Sequence, residues 1–128
     1  MEQTGGCLCG HLRYRLSAEP IDAGFCHCRA CQKSAGAPVL AWLTLPRHAF
    51  AYTAGEAAVY ASSAHAQRAF CPRCGSQLVF QSDHSPDTLD VTLASLDQPE
   101  AVLPQYHIWT TSQIAWLHLA DDLPRYGD

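Results

Sequence analysis

Cys71-Pro72-Arg73-Cys74-Gly75, together with Cys7-Leu8-Cys9-Gly10, decides how this chain folds. Thiols one or two residues apart cannot easily reach separate partners, but they can share one tetrahedral zinc ion. The Cys-x-x-Cys turn aims two thiolates the same way. The glycine after it permits the positive φ that lets backbone N–H groups face the sulfurs. Cys7 and Cys9, flanked by Gly5 and Gly6, offer a matching pair on alternate positions of an extended segment. Cys7, Cys9, Cys71 and Cys74 are therefore expected to form a closed structural site. It would tie an N-terminal hairpin to a turn more than sixty residues later. A metal clip on so long a loop strongly restricts the unfolded chain. A redox or disulfide role for the Cys-x-x-Cys pair competes with this reading, but the second pair argues against it.

The other three cysteines fall in Cys26-His27-Cys28-Arg29-Ala30-Cys31, within six residues, and are expected to share a second ion. A short helix over Arg29 to Ala35, stopped by Gly36, would put Cys28 at its N-cap and Cys31 in its first turn. Backbone N–H groups there favour thiolates. No fourth cysteine remains, so water or an outside ligand completes the set, or a histidine closes it. His27, His107 or a more distant histidine would be the candidate. His27 is the poorer one, because it directly follows Cys26 and tends to point the other way. Three thiolates leave zinc a soft, net-negative centre that prefers another sulfur and holds it as thiolate. The chemistry such a centre favours is addition of a thiol to an electrophile, or the reverse.

Composition agrees. The chain has 128 residues, 48% apolar and 16% charged, with formal charge -4, which suits one domain over 1–128 and argues against disorder. Seven thiolates on two zinc ions would make it roughly 3 units more negative. No basic footprint for nucleic acid is present. No apolar run approaches membrane-spanning length, and the first residues lack signal-peptide features. A cytoplasmic location follows, where clustered cysteines more often mean metal than disulfides. Oligomeric state is not legible.

Most segments read as strands. His11 to Leu16 alternates, placing Leu12, Tyr14 and Leu16 on one buried face. Ala37 to Leu45 suits a central strand ended by Pro46. Shorter candidates are Val59-Tyr60, Ala69-Phe70, Leu78 to Phe80, Leu89 to Leu93, Ile108-Trp109 and Trp116-Leu117. The result is a mainly β domain.

The three cysteine stretches, with Leu93-Ala94-Ser95-Leu96-Asp97, Pro104, His107-Ile108-Trp109 and Trp116, resemble the glutathione-dependent formaldehyde-activating family, also called the CENP-V/GFA domain. The resemblance spans nearly the whole chain. It implies an Mss4-like fold of several small antiparallel sheets stapled by zinc, with a short helix after the second cysteine group. It implies a structural zinc on the residues matching Cys7, Cys9, Cys71 and Cys74, and a catalysis-associated zinc on Cys26, Cys28 and Cys31. The implied activity is that of a carbon–sulfur lyase condensing formaldehyde with glutathione to S-hydroxymethylglutathione.

Arg29 and Lys33 would share a helix face beside the second site and could bind glutathione carboxylates; the bland alternative is a solvated helix surface. His107, Trp109 and Trp116 could line a pocket wall or simply pack. His107 is a candidate proton shuttle for hemithioacetal formation. Arg73 reads as exposed, and Ser62-Ser63 and Asp121-Asp122 as turn and surface. The competing function is a non-catalytic zinc module for protein interaction. A missing eighth ligand favours the enzyme.

Overall fold

A two-residue side-chain period and short turns build ten strands and one helix in the computed structural model, which describes residues 2–128. The strands are β1 (Gln3–Gly6), β2 (Arg13–Leu16), β3 (Asp22–Cys26), β4 (Leu40–Pro46), β5 (Phe50–Ala54), β6 (Ala58–Ala61), β7 (Ala66–Phe70), β8 (Gln77–Ser82), β9 (Thr88–Thr92) and β10 (His107–Ile108). The helix, α1, is Arg29–Ala35. The fold is mainly β with antiparallel sheets and one short helix, as expected. A three-stranded sheet has the order β1-β2-β5 and a seven-stranded one the order β10-β3-β4-β9-β8-β7-β6. All described strand pairs are antiparallel except β10 with β3.

The register of the larger sheet sorts its side chains by face. Ala23, Leu43, Val91, Val79 and Ala69 stand opposite one another across β3, β4, β9, β8 and β7. They join the main core with Leu12, Tyr14 and Leu16, all of them buried as the alternation of β2 predicts. The neighbouring row, Thr44, Asp90, Phe80 and Arg68, falls on the opposite face.

α1 has the boundaries read from the sequence. Cys28 caps it by accepting the Cys31 N–H, and Gly36 closes it at φ 62. β4 is the expected interior strand, shifted to include Pro46. Three strands lacked a usable signal: Gly-rich β1, β5, and β3 with Gly24 at its centre. Gly24 is required there because a Cβ would collide with the Tyr106 ring. Trp116-Leu117 is not a strand; it lies in an irregular turn with Trp116 exposed. Among the described residues no helix is long and apolar enough to cross a membrane.

The Leu93 to Asp97 stretch fastens the small sheet to the end of β9. The Asp97 N–H donates to the Thr4 carbonyl (2.9 Å), and Ser95 Oγ lies 2.7 Å from the Tyr14 hydroxyl. Asp97 accepts from the Thr4 hydroxyl (2.6 Å) and both guanidinium nitrogens of Arg13. The Arg13 and Thr4 bonds hold its carboxyl at about 2 rather than the ordinary 3.8. A depressed carboxylate pKa stabilises the fold above the unfolded value and loses that effect as pH falls toward the folded one. The side chains are 38% and 43% exposed, so screening limits the clasp to at most about 1 kcal/mol. Urea titrations of wild type and Asp97→Asn should therefore differ near neutral pH. The gap should close as pH falls from about 5 toward 2.

Candidate metal centres

Cys7 and Cys9 occupy the β1–β2 turn, and Cys71 and Cys74 the β7–β8 turn. Their four ligand atoms lie within 4.8 Å of one another. The Cys7–Cys9 and Cys9–Cys71 sulfurs are 3.7 and 3.8 Å apart. Sulfurs about 2.3 Å from a tetrahedral zinc are separated by about 3.8 Å, whereas a disulfide needs about 2.05 Å. Backbone N–H groups face the sulfurs: Leu12 donates to Cys7 (3.2 Å) and Arg73 to Cys71 (3.4 Å). The Ser76 hydroxyl lies 3.2 Å from Cys74, and it and the Ser76 backbone N–H bring that thiol down to about 5. Ser76 Oγ also accepts the Leu8 N–H (3.0 Å), latching one turn onto the other. Gly75 supplies the positive φ (80°) that the knuckle needs. Arg73 is exposed, as read from sequence.

Cys26 ends β3, Cys28 caps α1 and Cys31 sits in its first turn, again with ligand atoms within 4.8 Å. The Cys26 and Cys31 sulfurs are 3.5 Å apart. Hydrogen bonds from Cys26 and Cys31 bring the Cys28 thiol down to about 2. The same bonds, with burial, push Cys26 far up. Three thiols this close titrate as one coupled set, and a cation among them would favour their deprotonated forms.

Among the described residues no fourth histidine, cysteine or carboxylate groups with the trio. The two histidines nearest by sequence and topology are held elsewhere. His107 Nε2–H donates to the Asp121 carboxylate (3.0 and 3.1 Å), and His27 Nε2 lies 2.9 Å from His107 Nδ1. Both rings are fully buried, and Phe25 stacks on His107 at 4.9 Å. Burial, then the neighbouring His107, lowers the His27 pKa and keeps that ring neutral. Asp121, read as surface, is the carboxylate partner of this pair.

The trio opens onto a cavity of about 150 Å³ on the outward face of the larger sheet. Trp42, Phe80, Tyr106, Ile108 and Trp109 give it apolar walls, and Arg68 and Asp90 contribute charge. Of the residues proposed from sequence, Trp109 lines this cavity, with its backbone in the left-handed region at φ 57. Strain of this kind clusters at functional sites. His107 does not line it: strand alternation sends Ile108 to the cavity and His107 into the packed layer behind. Trp116 does not line it, and neither do Arg29 and Lys33, which are exposed on α1. Arg29 donates to Gln32 Oε1 at 2.6 Å.

Two cavity residues escaped the sequence reading. Asp90 lies between Leu89 and Val91, and a charge inside an apolar alternation marks the face away from the core. Its carboxyl accepts from the Thr44 hydroxyl (2.6 Å), and burial raises it above the usual carboxylate range. Arg68 alternates likewise in β7, three residues before Cys71.

A family model described as glutathione-dependent formaldehyde-activating enzyme matches residues 2–112. An uncharacterised lyase of Schizosaccharomyces pombe is 30% identical over 79 residues, which are 62% of this chain and 57% of that protein. The chain thus covers less than two thirds of that relative's length. A crystal structure of a Rhodobacter sphaeroides protein aligns with TM-score 0.63 and 23% identity, covering 73% of this chain and 87% of that one. At that identity the likeness speaks to the fold alone. With both cysteine groups assembled and the match running over residues 2–112, the chain belongs to the glutathione-dependent formaldehyde-activating enzyme family.

Proposed function

We propose that this chain is a zinc-dependent carbon–sulfur lyase that joins a glutathione thiol to formaldehyde or a related small aldehyde, and reverses that reaction. The observation that carries the reading is the second cysteine group. Three thiols converge beside a cavity, and no fourth protein ligand joins them among the described residues. All-sulfur donor sets at these separations fit zinc. Cys7, Cys9, Cys71 and Cys74 would hold one ion that staples the fold, and Cys26, Cys28 and Cys31 a second. That second ion would supply the positive charge that keeps an incoming thiol ionised at neutral pH.

The chain's own residues shape the rest. About 150 Å³ lies below the roughly 300 Å³ of an ordinary ligand pocket, so it suits a thiol-bearing methylene and a small aldehyde. The remainder of glutathione stays outside, where exposed Arg29 and Lys33 are available to its carboxylates. Trp42, Phe80 and Ile108 exclude water from the reacting atoms. Addition forms the C–S bond as the carbonyl π bond breaks, and the thiol's proton ends on the oxygen. Asp90 takes over the proton-carrying role first given to His107, because its carboxyl lines the cavity. A raised carboxyl pKa brings it nearer the range where general acid–base transfer is efficient.

Replacement of Cys74 by Ser should lower zinc content from two ions per chain toward one and reduce Tm by several degrees, read by metal analysis and calorimetry. Glutathione added to the Co²⁺-substituted protein should shift its thiolate-to-metal charge-transfer bands saturably, and Cys28→Ser should abolish that shift. An unchanged wild-type spectrum with both sites filled would instead favour the non-catalytic binding module. Asp90→Asn should lower kcat/KM for glutathione and formaldehyde by about 10²-fold or more at unchanged metal content, with Asp90→Glu recovering part of the loss.

A further inference from the structure

The face that carries the cysteine trio also buries a cation with no carboxylate beside it. Arg68 is 8% exposed, and among the described residues no aspartate or glutamate is within ion-pair distance of it. Asp90 shares its sheet face but stands two strands away, across Phe80. A guanidinium stays charged at any ordinary pH, and a buried charge is costly unless something compensates it. Most of what touches Arg68 is neutral. Its guanidinium lies 4.9 Å from the Phe80 ring centroid and 5.9 Å from that of Trp42. Nη1 donates to Gln77 Oε1 at 2.9 Å and Ser34 Oγ at 3.3 Å. The remaining partner can carry negative charge: Nη1 and Nη2 both point at Cys31 Sγ, 3.9 and 3.8 Å away.

We propose that Arg68 is the counter-ion of the cysteine trio, a positioning residue whose fixed charge stabilises the second metal site and lets it accept an anionic fourth ligand. The second half of this inference rests on the thiol-binding role proposed above; the first half does not. Three thiolates on a divalent cation carry one net negative charge, and the guanidinium cancels it. An incoming thiolate then joins a neutral assembly instead of an anion. Ser34 on α1 and Gln77 on β8 fix the fork from two sides, while the two aromatic rings hold its plane. The alternative is a neutral strut, in which the same hydrogen bonds only tie β7, β8 and α1 together.

Charge-separating variants decide between the two. Zn²⁺ affinity of the second site is measured by chelator competition, with the first site filled, in wild type, Arg68→Lys and Arg68→Gln. Arg68→Gln should weaken that affinity by about 10- to 100-fold, the range typical of groups that support metal ligands. Arg68→Lys should stay within several-fold of wild type, with first-site zinc and Tm little changed in both. The Co²⁺ charge-transfer bands of the second site should move in Arg68→Gln. Uptake of 2-mercaptoethanol, a thiol with no carboxylate for a cation to grip, should weaken in parallel. Equal affinities in wild type and Arg68→Gln, or equal losses in the Lys and Gln variants, would overturn the proposal. If the Gln variant does not fold, Arg68→Met keeps the packing against Phe80 and Trp42 and answers the same question. A wild type that binds no thiol would defeat the proposed function, while the zinc affinities would still judge Arg68.

Discussion

Register across the seven-stranded sheet divides this molecule into a face that packs the core and a face that lines the cavity. Successive side chains on a strand leave on opposite faces, so the pairing that aligns Leu43 with Val91 and Val79 also aligns Thr44 with Asp90 and Phe80. The first row buries fully or nearly so and joins the core with β2. The second row, with Arg68 opposite Phe80, becomes the floor of the cavity beside Cys26, Cys28 and Cys31. A one-residue slip in β9 would send Asp90 into the apolar layer and Val91 into the cavity. The apolar row thus secures the position of the polar one, because burying an unpaired carboxylate costs several kcal/mol or more. Core packing and site geometry are consequences of one constraint.

The two cysteine groups present the same donor atoms in different surroundings. Cys7, Cys9, Cys71 and Cys74 come from two turns latched by Ser76, so four sulfurs converge on one point. An ion held there would close a loop of more than sixty residues, so its binding energy would be folding energy. The second group is drawn from six consecutive residues, so it closes almost no loop and adds little to the fold by that route. Its value lies in where β3 and α1 deliver it, beside aromatic walls, a guanidinium and a carboxyl.

Local information in the sequence carried the three short cysteine clusters, the α1 boundaries and the buried face of β2. Each depends on residues within a few positions of one another: Cys28 capping onto Cys31, Gly36 ending α1, and Leu12, Tyr14 and Leu16 alternating. Arg68 and Asp90 were not legible in the same way. Their meeting with the trio requires β7 to pair with β8 and β9 with β4, and those registers arise from the whole sheet rather than from any short window. His107 was misplaced for a related reason. Its role turns on which side of the two-residue β10 it leaves from, and that is set by pairing with Phe25 and Cys26 more than eighty residues earlier. Trp116 has the side chain of a strand or pocket residue, but among the described residues no partner strand reaches it.

The paired histidines explain how a cysteine trio with a histidine in its midst avoids becoming a closed four-ligand centre. His27 sits between Cys26 and Cys28, yet alternation at the end of β3 sends it to the side away from the cavity. There its Nε2 meets His107 Nδ1, and His107 in turn is held by Asp121. His27 Nδ1 is buried with no hydrogen-bond partner among the described residues, but Nε2 holds the ring on the side away from the cavity. Moving that ring would strip His107 Nδ1 of its partner, and an unsatisfied buried polar group costs about 1–3 kcal/mol. The chain of Asp121, His107 and His27 therefore acts at a distance from the cavity by keeping a potential fourth ligand out of it. Under the proposed function, the place beside Cys26, Cys28 and Cys31 would be left to a ligand from outside, and the sulfur-rich donor set would favour a thiol there.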